Sequence, residues 1–199
     1  MNSKSSFPED RVLWQDFLAG EVRAFEKLMS DNFRLLFRYG SKFSKDRELV
    51  KDSIQDLFLI LWEKRDNLSP DAAVKPYLMA SLRRLMHRQV SSRTWVGGEA
   101  LQEEDDYFEI EFSVEDDYIR NEATHTRTHQ LQKLLNALPR RQKEVVYLKF
   151  FQELSREQIA EVMAVTPQTV SNLLQIAIRH LKMHWKAEFL IFFLLHFLF

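Results

Sequence analysis

The sequence predicts an all-α protein: two small helical domains joined by an acidic linker, the second a four-helix domain with a helix-turn-helix. Three observations predict it. Glycine and proline are scarce, 4 and 5 in 199 residues, which favours long helices over tight turns. Apolar residues recur at spacings of three and four, and no strand-like alternation stands out. Charge falls in blocks. Residues 1–95 carry 17 Lys+Arg against 13 Asp+Glu, 96–121 carry 1 against 10, and 122–185 carry 9 against 5, inside a chain of net charge −1. The expected division is therefore a domain over 1–95, a linker over 96–121, a second domain over 122–185 and an apolar tail over 186–199.

Residues 1–10 read as an irregular start, followed by helices over 12–19 and 22–38. In the second of these Phe25, Leu28, Met29, Phe33, Leu36 and Phe37 fall at helical spacing, a stripe that reads as core. The longest periodic helix covers 46–64. Val50, Ile54, Leu57, Phe58 and Leu61 point one way, and Asp52, Asp56 and Glu63 lie on another face with Gln55 nearby. Six apolar residues in a row, Leu57 to Trp62, cover the whole circumference. That surplus means either a fully enclosed helix or a partner surface with an acidic rim.

Asn67-Leu68-Ser69-Pro70 is a turn. The helix over 72–95 then carries Lys75, Arg83, Arg84, Arg88 and Arg93 and no acid, with Leu78, Leu82, Leu85 and Met86 inward. With Tyr77 and Trp95 near its ends it suits a nucleic-acid backbone and stacked bases; the plain alternative is a solvated basic face. The acidic stretch that follows is too charged to pack and reads as a linker. Its Tyr107, Phe108, Ile110 and Phe112 leave two options open, a segment that docks when the linker lies along a partner or a passive tether.

The second domain opens with a helix over 122–138, where His125 and His129 stand four apart. No cysteine or acid cluster completes a metal site, so they read as surface histidines. A helix over 140–151 follows. Ser155 with Gln158 is a capping-box pattern, Ala164-Val165-Thr166 breaks the chain, and Thr166-Pro167 suits a helix start. Val170, Leu173, Leu174, Ala177, Ile178 and Leu181 form the inner side of the last helix. Gln168, Asn172, Gln175 and Arg179 form its outer side. Two short helices with an amide-rich outer face read as helix-turn-helix, because Asn and Gln bond bidentately to adenine in the major groove. An ordinary helical hairpin is the alternative. Residues 189–199 are apolar at ten of eleven positions, His196 excepted. A spanning helix needs about 20 such residues, so the segment reads as a partner helix, an interfacial anchor or a stretch folded back on the core.

With no cysteine there is no disulfide framework and no thiolate nucleophile. The start of the chain has no apolar signal core, which favours a cytoplasmic protein. No nucleophile–base pair, phosphate loop or metal cluster is present, so neither an enzyme, a cofactor nor a small-molecule substrate is expected.

Two stretches resemble a known family. Asp52-Ser-Ile-Gln55-Asp56-Leu-Phe58-Leu-Ile-Leu61-Trp62 is similar to the polymerase-binding helix of the extracytoplasmic-function (ECF) sigma factors. Leu135-Asn-Ala-Leu138-Pro139-Arg-Arg141-Gln142-Lys-Glu144-Val145, continued by Glu153-Leu154-Ser155, Ile159-Ala160 and Thr169-Val170, is similar to the carboxy-terminal domain of that family. The resemblance covers about residues 20–183. It implies a transcription initiation factor that binds core RNA polymerase, directs it to promoters and assists DNA melting. The clamp helices of the largest subunit would be held through Asp52, Gln55, Asp56, Leu59 and Trp62. The minus-ten element would meet Lys75, Tyr77, Arg83, Arg84, Arg88 and Arg93, with one base flipped out. The minus-thirty-five element would meet Arg156, Thr166, Gln168, Thr169, Ser171, Asn172, Gln175 and Arg179. The linker would thread into the polymerase, and an anti-sigma factor, often membrane-anchored, or another recruiting protein would be the further partner.

The chain departs from the family pattern in four places. Arg84 stands where the basic helix of the family has Asn, and Arg88 where it has an acid. Ala164 replaces the turn glycine, at roughly 1 kcal/mol if that position needs positive φ. The outer face of the last helix has only Arg179, late, with His180 beside it. The apolar tail is not a general feature of the family. The alternative function is a stand-alone helix-turn-helix regulator, which would need a ligand or dimer domain.

Overall fold

Asp46 starts the helix at the centre of the first half of the chain, because its carboxylate accepts from the backbone N–H groups of Glu48 and Leu49, both at 3.1 Å. The computed structural model describes residues 7–96, 107–111 and 122–184, and the side chains of 10–89, 107–111 and 128–183. Among the described residues it has eight α-helices and no strand. They are α1 (Phe7–Leu18), α2 (Val22–Gly40), α3 (Arg47–Glu63), α4 (Val74–Val96), α5 (Glu122–Asn136), α6 (Arg140–Val146), α7 (Arg156–Met163) and α8 (Pro167–His184). The chain divides into two units, Met1–Asp105 and Asp106–Phe199. Residues 1–6, the parts of the acidic stretch over 97–106 and 112–121, and the tail over 185–199 lie outside the described residues. So do the side chains of Arg93, Trp95 and His125.

In the first unit α1 begins at Phe7, inside the stretch expected to be irregular. Pro8 falls in a first turn that needs no amide donor there. The helices meet through interlocked rings: Phe17 of α1 on Phe25 of α2 at 6.2 Å, Phe25 against Trp62 of α3 at 5.0 Å and edge-on to Phe58 at 6.2 Å, and Trp14 of α1 edge-on to Tyr77 of α4 at 6.0 Å. Trp14 also donates its indole N–H to the Ser69 carbonyl at 2.9 Å, which ties α1 to the turn after α3. Gly40 lets α2 and α3 meet closely, since a Cβ there would stand 2.7 Å from Val50 Cγ1. The α2 stripe expected as core is only partly so. Leu28 and Leu36 are buried, but Met29 and Phe33 stay 36% and 39% exposed. The stripe is wider than its neighbours cover, and Phe33 stacks on Phe37 instead, at 6.0 Å and 12°.

In the second unit Ser155 and Gln158 form the full capping box at the start of α7. Ala164 ends that helix in the left-handed region, at φ 53° and ψ 51°. Thr166 accepts from the Thr169 amide at 3.2 Å, and Pro167 opens α8. Leu135, Val145, Leu148, Ile159, Val170 and Ala177 make the core. The helix expected over 140–151 changes character at Tyr147. Over Tyr147–Phe151 the turn widens to a π-helix, and the Gln152 amide reaches the Tyr147 carbonyl at 3.2 Å.

Five residues from the acidic stretch, Tyr107–Glu111, pack on this unit. Phe108 and Ile110 are each 1% exposed. Asn136 Oδ1 accepts from the Ile110 amide at 2.9 Å, and Asn136 Nδ2 donates to the Ile110 carbonyl at 3.0 Å. The Phe108 ring meets Tyr147 edge-on at 5.9 Å. The expectation that the acidic stretch is too charged to pack is therefore corrected for these residues: their apolar side chains are buried on the chain's own second unit, because Phe108 and Ile110 turn inward while Glu109 stays half-buried and Glu111 exposed.

Candidate nucleic-acid and partner interfaces

Helix α3 puts Asp52, Gln55, Asp56 and Leu59 on its solvent side, all exposed, Leu59 at 61%. The opposite side, with Ile54, Leu57, Phe58 and Leu61, is buried. Of the two options for the apolar run, full enclosure is therefore excluded: one leucine is left outside between acidic neighbours. Trp62 does not share that exposure. It is half-buried against Phe25, with the Arg65 guanidinium 4.6 Å from its ring.

Asp56 is also held in place. Gln89 on α4 donates from Nε2 to Asp56 Oδ2 at 3.1 Å, and its Oε1 lies 2.6 Å from the hydroxyl of the fully buried Ser53. That hydroxyl also stands 2.7 Å from the Leu49 carbonyl. Ser53 and Gln89 were missed by sequence reasoning. The buried serine at the centre of an apolar helix face was the available signal, since a buried hydroxyl needs a partner.

Helix α4 gathers some of the basic candidates and separates others. Tyr77, Arg84 and Arg88 line one cavity of about 280 Å³ between α3 and α4, together with Ser81, Leu57, Ile60 and Lys64. Its floor is apolar and three cationic side chains stand around it. Arg84 donates to the Ser81 hydroxyl at 2.9 Å. Tyr77 is half-buried and edge-on to Trp14 at 6.0 Å, so its ring is part of the wall and not an open stacking platform. Lys75 and Arg83 are half-buried and fall on other sides of the helix by its 3.6-residue period.

Helix α8 presents Gln168, Asn172, Gln175 and Arg179 together, all exposed. Gln168 Nε2 donates to Asn172 Oδ1 at 3.0 Å, which aligns the two amides along the helix. Other candidates have their polar groups engaged in the fold. Thr166 caps α8 and shares a hydroxyl contact with Thr169 at 2.9 Å, and the Ser171 hydroxyl donates to the Pro167 carbonyl at 3.3 Å. Arg156 donates through Nε and Nη2 to Glu157 at 3.0 and 2.9 Å. The Glu157 carboxyl is held below the usual glutamate range by its own backbone N–H and then by Arg156. On the docked acidic segment, Tyr107 donates to Glu109 at 2.7 Å. Burial, then Glu109, pushes its hydroxyl well above the usual tyrosine range, so it stays protonated.

Among the described residues no group of His and acidic side chains is arranged to hold a metal ion, and no helix is long and apolar enough to cross a membrane. His129 is exposed on α5.

Two family models match the chain: sigma-70 region 2 over residues 28–96, and sigma-70 region 4 over 128–181. No curated protein sequence matches it. The solved structures that share the fold include two complexes. One is CnrH in complex with the cytosolic domain of CnrY, at 20% identity and a TM-score of 0.59, covering 87% of this chain and 95% of that one. The other is the sigma factor RpoE in complex with the anti-sigma factor NepR from Bartonella quintana, at 19% identity and a TM-score of 0.55, covering 85% and 96%. Region 2 is matched where a stand-alone regulator would need its ligand or dimer domain, so that alternative is not favoured. The matched family is one of non-catalytic transcription factors. Regions 2 and 4 follow one another in order and together span more than half of the chain, which belongs to the sigma-70 family as a sigma factor acting in transcription initiation.

Proposed function

We propose that the chain binds core RNA polymerase through the outward stripe of α3, with Asp52, Gln55 and Asp56 meeting basic groups and Leu59 seated in an apolar contact. The observation that carries this is Leu59, 61% exposed on the solvent side of α3 and flanked by carboxylates, while Ile54, Leu57, Phe58 and Leu61 are buried. An exposed apolar anchor with a charged rim is the usual anatomy of a partner surface. The cavity between α3 and α4 takes one unstacked base of the minus-ten element, with Arg84, Arg88 and Lys64 neutralising the neighbouring phosphates. The outer amides of α8 read the minus-thirty-five element in the major groove. The work is done in the cytoplasm, where polymerase and promoter are. A restraining or recruiting protein is the third partner, as the CnrH and RpoE complexes each contain a second protein.

The test is run-off transcription with core polymerase on a library of randomised promoters. The chain should convert core polymerase to selective initiation on a subset of sequences that share an upstream and a downstream element. Transcripts no more selective than those of core polymerase alone would overturn the reading.

A further inference from the structure

Ile176 is 48% exposed although it lies in the middle of α8. The other apolar residues of that turn go inward: Val170 and Ala177 are fully buried, and Leu173 and Leu174 are half-buried. Ile176 stands one turn after Asn172 and directly after Gln175. At 100° per residue its Cβ is about 40° around the helix from that of Asn172. It is therefore continuous with the amide stripe and not with the core. Between Pro167 and Arg179 this helix carries no cation. Whatever discriminates bases here does so with amides and with this one apolar side chain.

An exposed aliphatic group beside hydrogen-bonding amides has a defined counterpart in the major groove. The C5-methyl of thymine is the apolar feature there, and it is what separates thymine from cytosine by shape rather than by hydrogen bonding. Resting on the reading that α8 enters the major groove, we infer that Ile176 is a specificity-determining residue that selects one thymine of the upstream element through its methyl group. Asn172 and Gln175 then read hydrogen-bonding edges, and Ile176 reads shape at an adjacent base pair. Met183, 69% exposed on the same side, lies two turns further along and outside the reach of the base-reading end of the helix.

The experiment uses the full chain with core polymerase. Upstream elements are selected from a randomised library with the wild type, with Ile176→Ala and with Asn172→Ala. The thymine whose preference disappears in Ile176→Ala is then replaced by uracil, which lacks only the methyl. The wild type should lose about fourfold in affinity on that change, the worth of one methyl-sized group removed from water. Ile176→Ala should bind thymine and uracil promoters alike. Because Ile176 is exposed, the variant should keep the circular dichroism and thermal midpoint of the wild type. The inference fails if Ile176→Ala selects the same elements as the wild type, if the relaxed position is not an A·T pair, or if uracil is as good as thymine. In those cases Asn172→Ala separates the two levels. Relaxation at a base by Asn172→Ala leaves the major-groove reading standing, whereas no upstream preference in any holoenzyme removes that reading as well.

Discussion

Helices α4 and α8 are both proposed to meet promoter DNA, yet they are built from opposite materials. Over Val74–Val96, α4 carries five Lys and Arg and no acid. On α8 the outer face is three amides, with Arg179 only toward the far end. Phosphate neutralisation supplies affinity without sequence, and amide contacts to base edges supply sequence with little affinity. The difference teaches a dependence. On that reading the region 4 unit should hold DNA weakly by itself and read its element only when something else keeps it there. The surface proposed for that role is the acidic stripe of α3, as the link to polymerase.

The largest effect should therefore come from α3. Asp56→Arg places like charges together at the polymerase interface and removes the acceptor that Gln89 now reaches, which should cost several kcal/mol of core affinity. The residue is exposed, so the circular dichroism spectrum and thermal midpoint should hold. Gel filtration with core polymerase at moderate salt reads the result. Undiminished co-elution would mean that the two DNA helices are tethered by some other surface, and the dependence between them would need another origin.

The direct comparison of α4 with α8 comes next in size. Asn172→Ala should cost about 1–3 kcal/mol on the preferred promoter, relax one base position and leave the salt dependence of the complex unchanged. Replacing Arg84 and Arg88 together by Ala should weaken binding on all promoters alike. It should also lower the slope of log K against log salt by about two, one for each phosphate that is no longer neutralised. Filter binding or footprinting from 50 to 200 mM salt, a range over which about 6–10 phosphate contacts change affinity by roughly 10³–10⁵, resolves this. If Asn172→Ala changes the slope, or the arginine pair changes the sequence preference, the division of labour is wrong.

How much of this was legible in the sequence depends on how local the signal was. Ser155 with Gln158 and Thr166 with Pro167 are capping signals within three residues of each other, and both are realised. Ala164 stood out as a departure from the family pattern and does adopt positive φ. The amide stripe of α8 follows from the helical period alone. What escaped has partners far apart in sequence. Ser53, Gln89 and Asp56 join across separations of 36 and 33 residues, and Asn136 meets Ile110 across 26. Periodicity also gives the direction of an apolar stripe but not the width of the neighbour that covers it. That is why Met29 and Phe33 read as core and are found partly exposed, and why Tyr77 reads as a stacking surface and is found packed on Trp14.

The two units also treat their tightest points in opposite ways, which separates fold from function. At Gly40 in the first unit the space is closed. Gly40→Ala would press a methyl 2.7 Å from Val50 Cγ1 and should destabilise that unit by about 1–3 kcal/mol, as other overpacked sites do. A lower urea midpoint in the transition of the first unit would report it. A neutral outcome would mean that α2 and α3 can slide apart without loss.

At Ala164 the backbone, and not the space, is the constraint. With φ at 53° the residue sits in a region where a Cβ costs about 1–2 kcal/mol and glycine costs nothing. Glycine in turn adds freedom to the unfolded chain, which takes back about 0.4–1 kcal/mol. Ala164→Gly should therefore stabilise the second unit by a small net amount, about 0.8 kcal/mol, the difference between the midpoints of those two effects. The angle between α7 and α8 is set by packing of Ile159, Val162, Met163 and Val170, all buried, so relief at the turn should leave the amide face where it is. Urea unfolding of the full chain should show the upward shift in the second unit only, and the holoenzyme should select the same upstream element as before. A changed element with unchanged stability would show that the strained alanine aims the recognition helix, making the turn a reading device as well as a hinge between two helices.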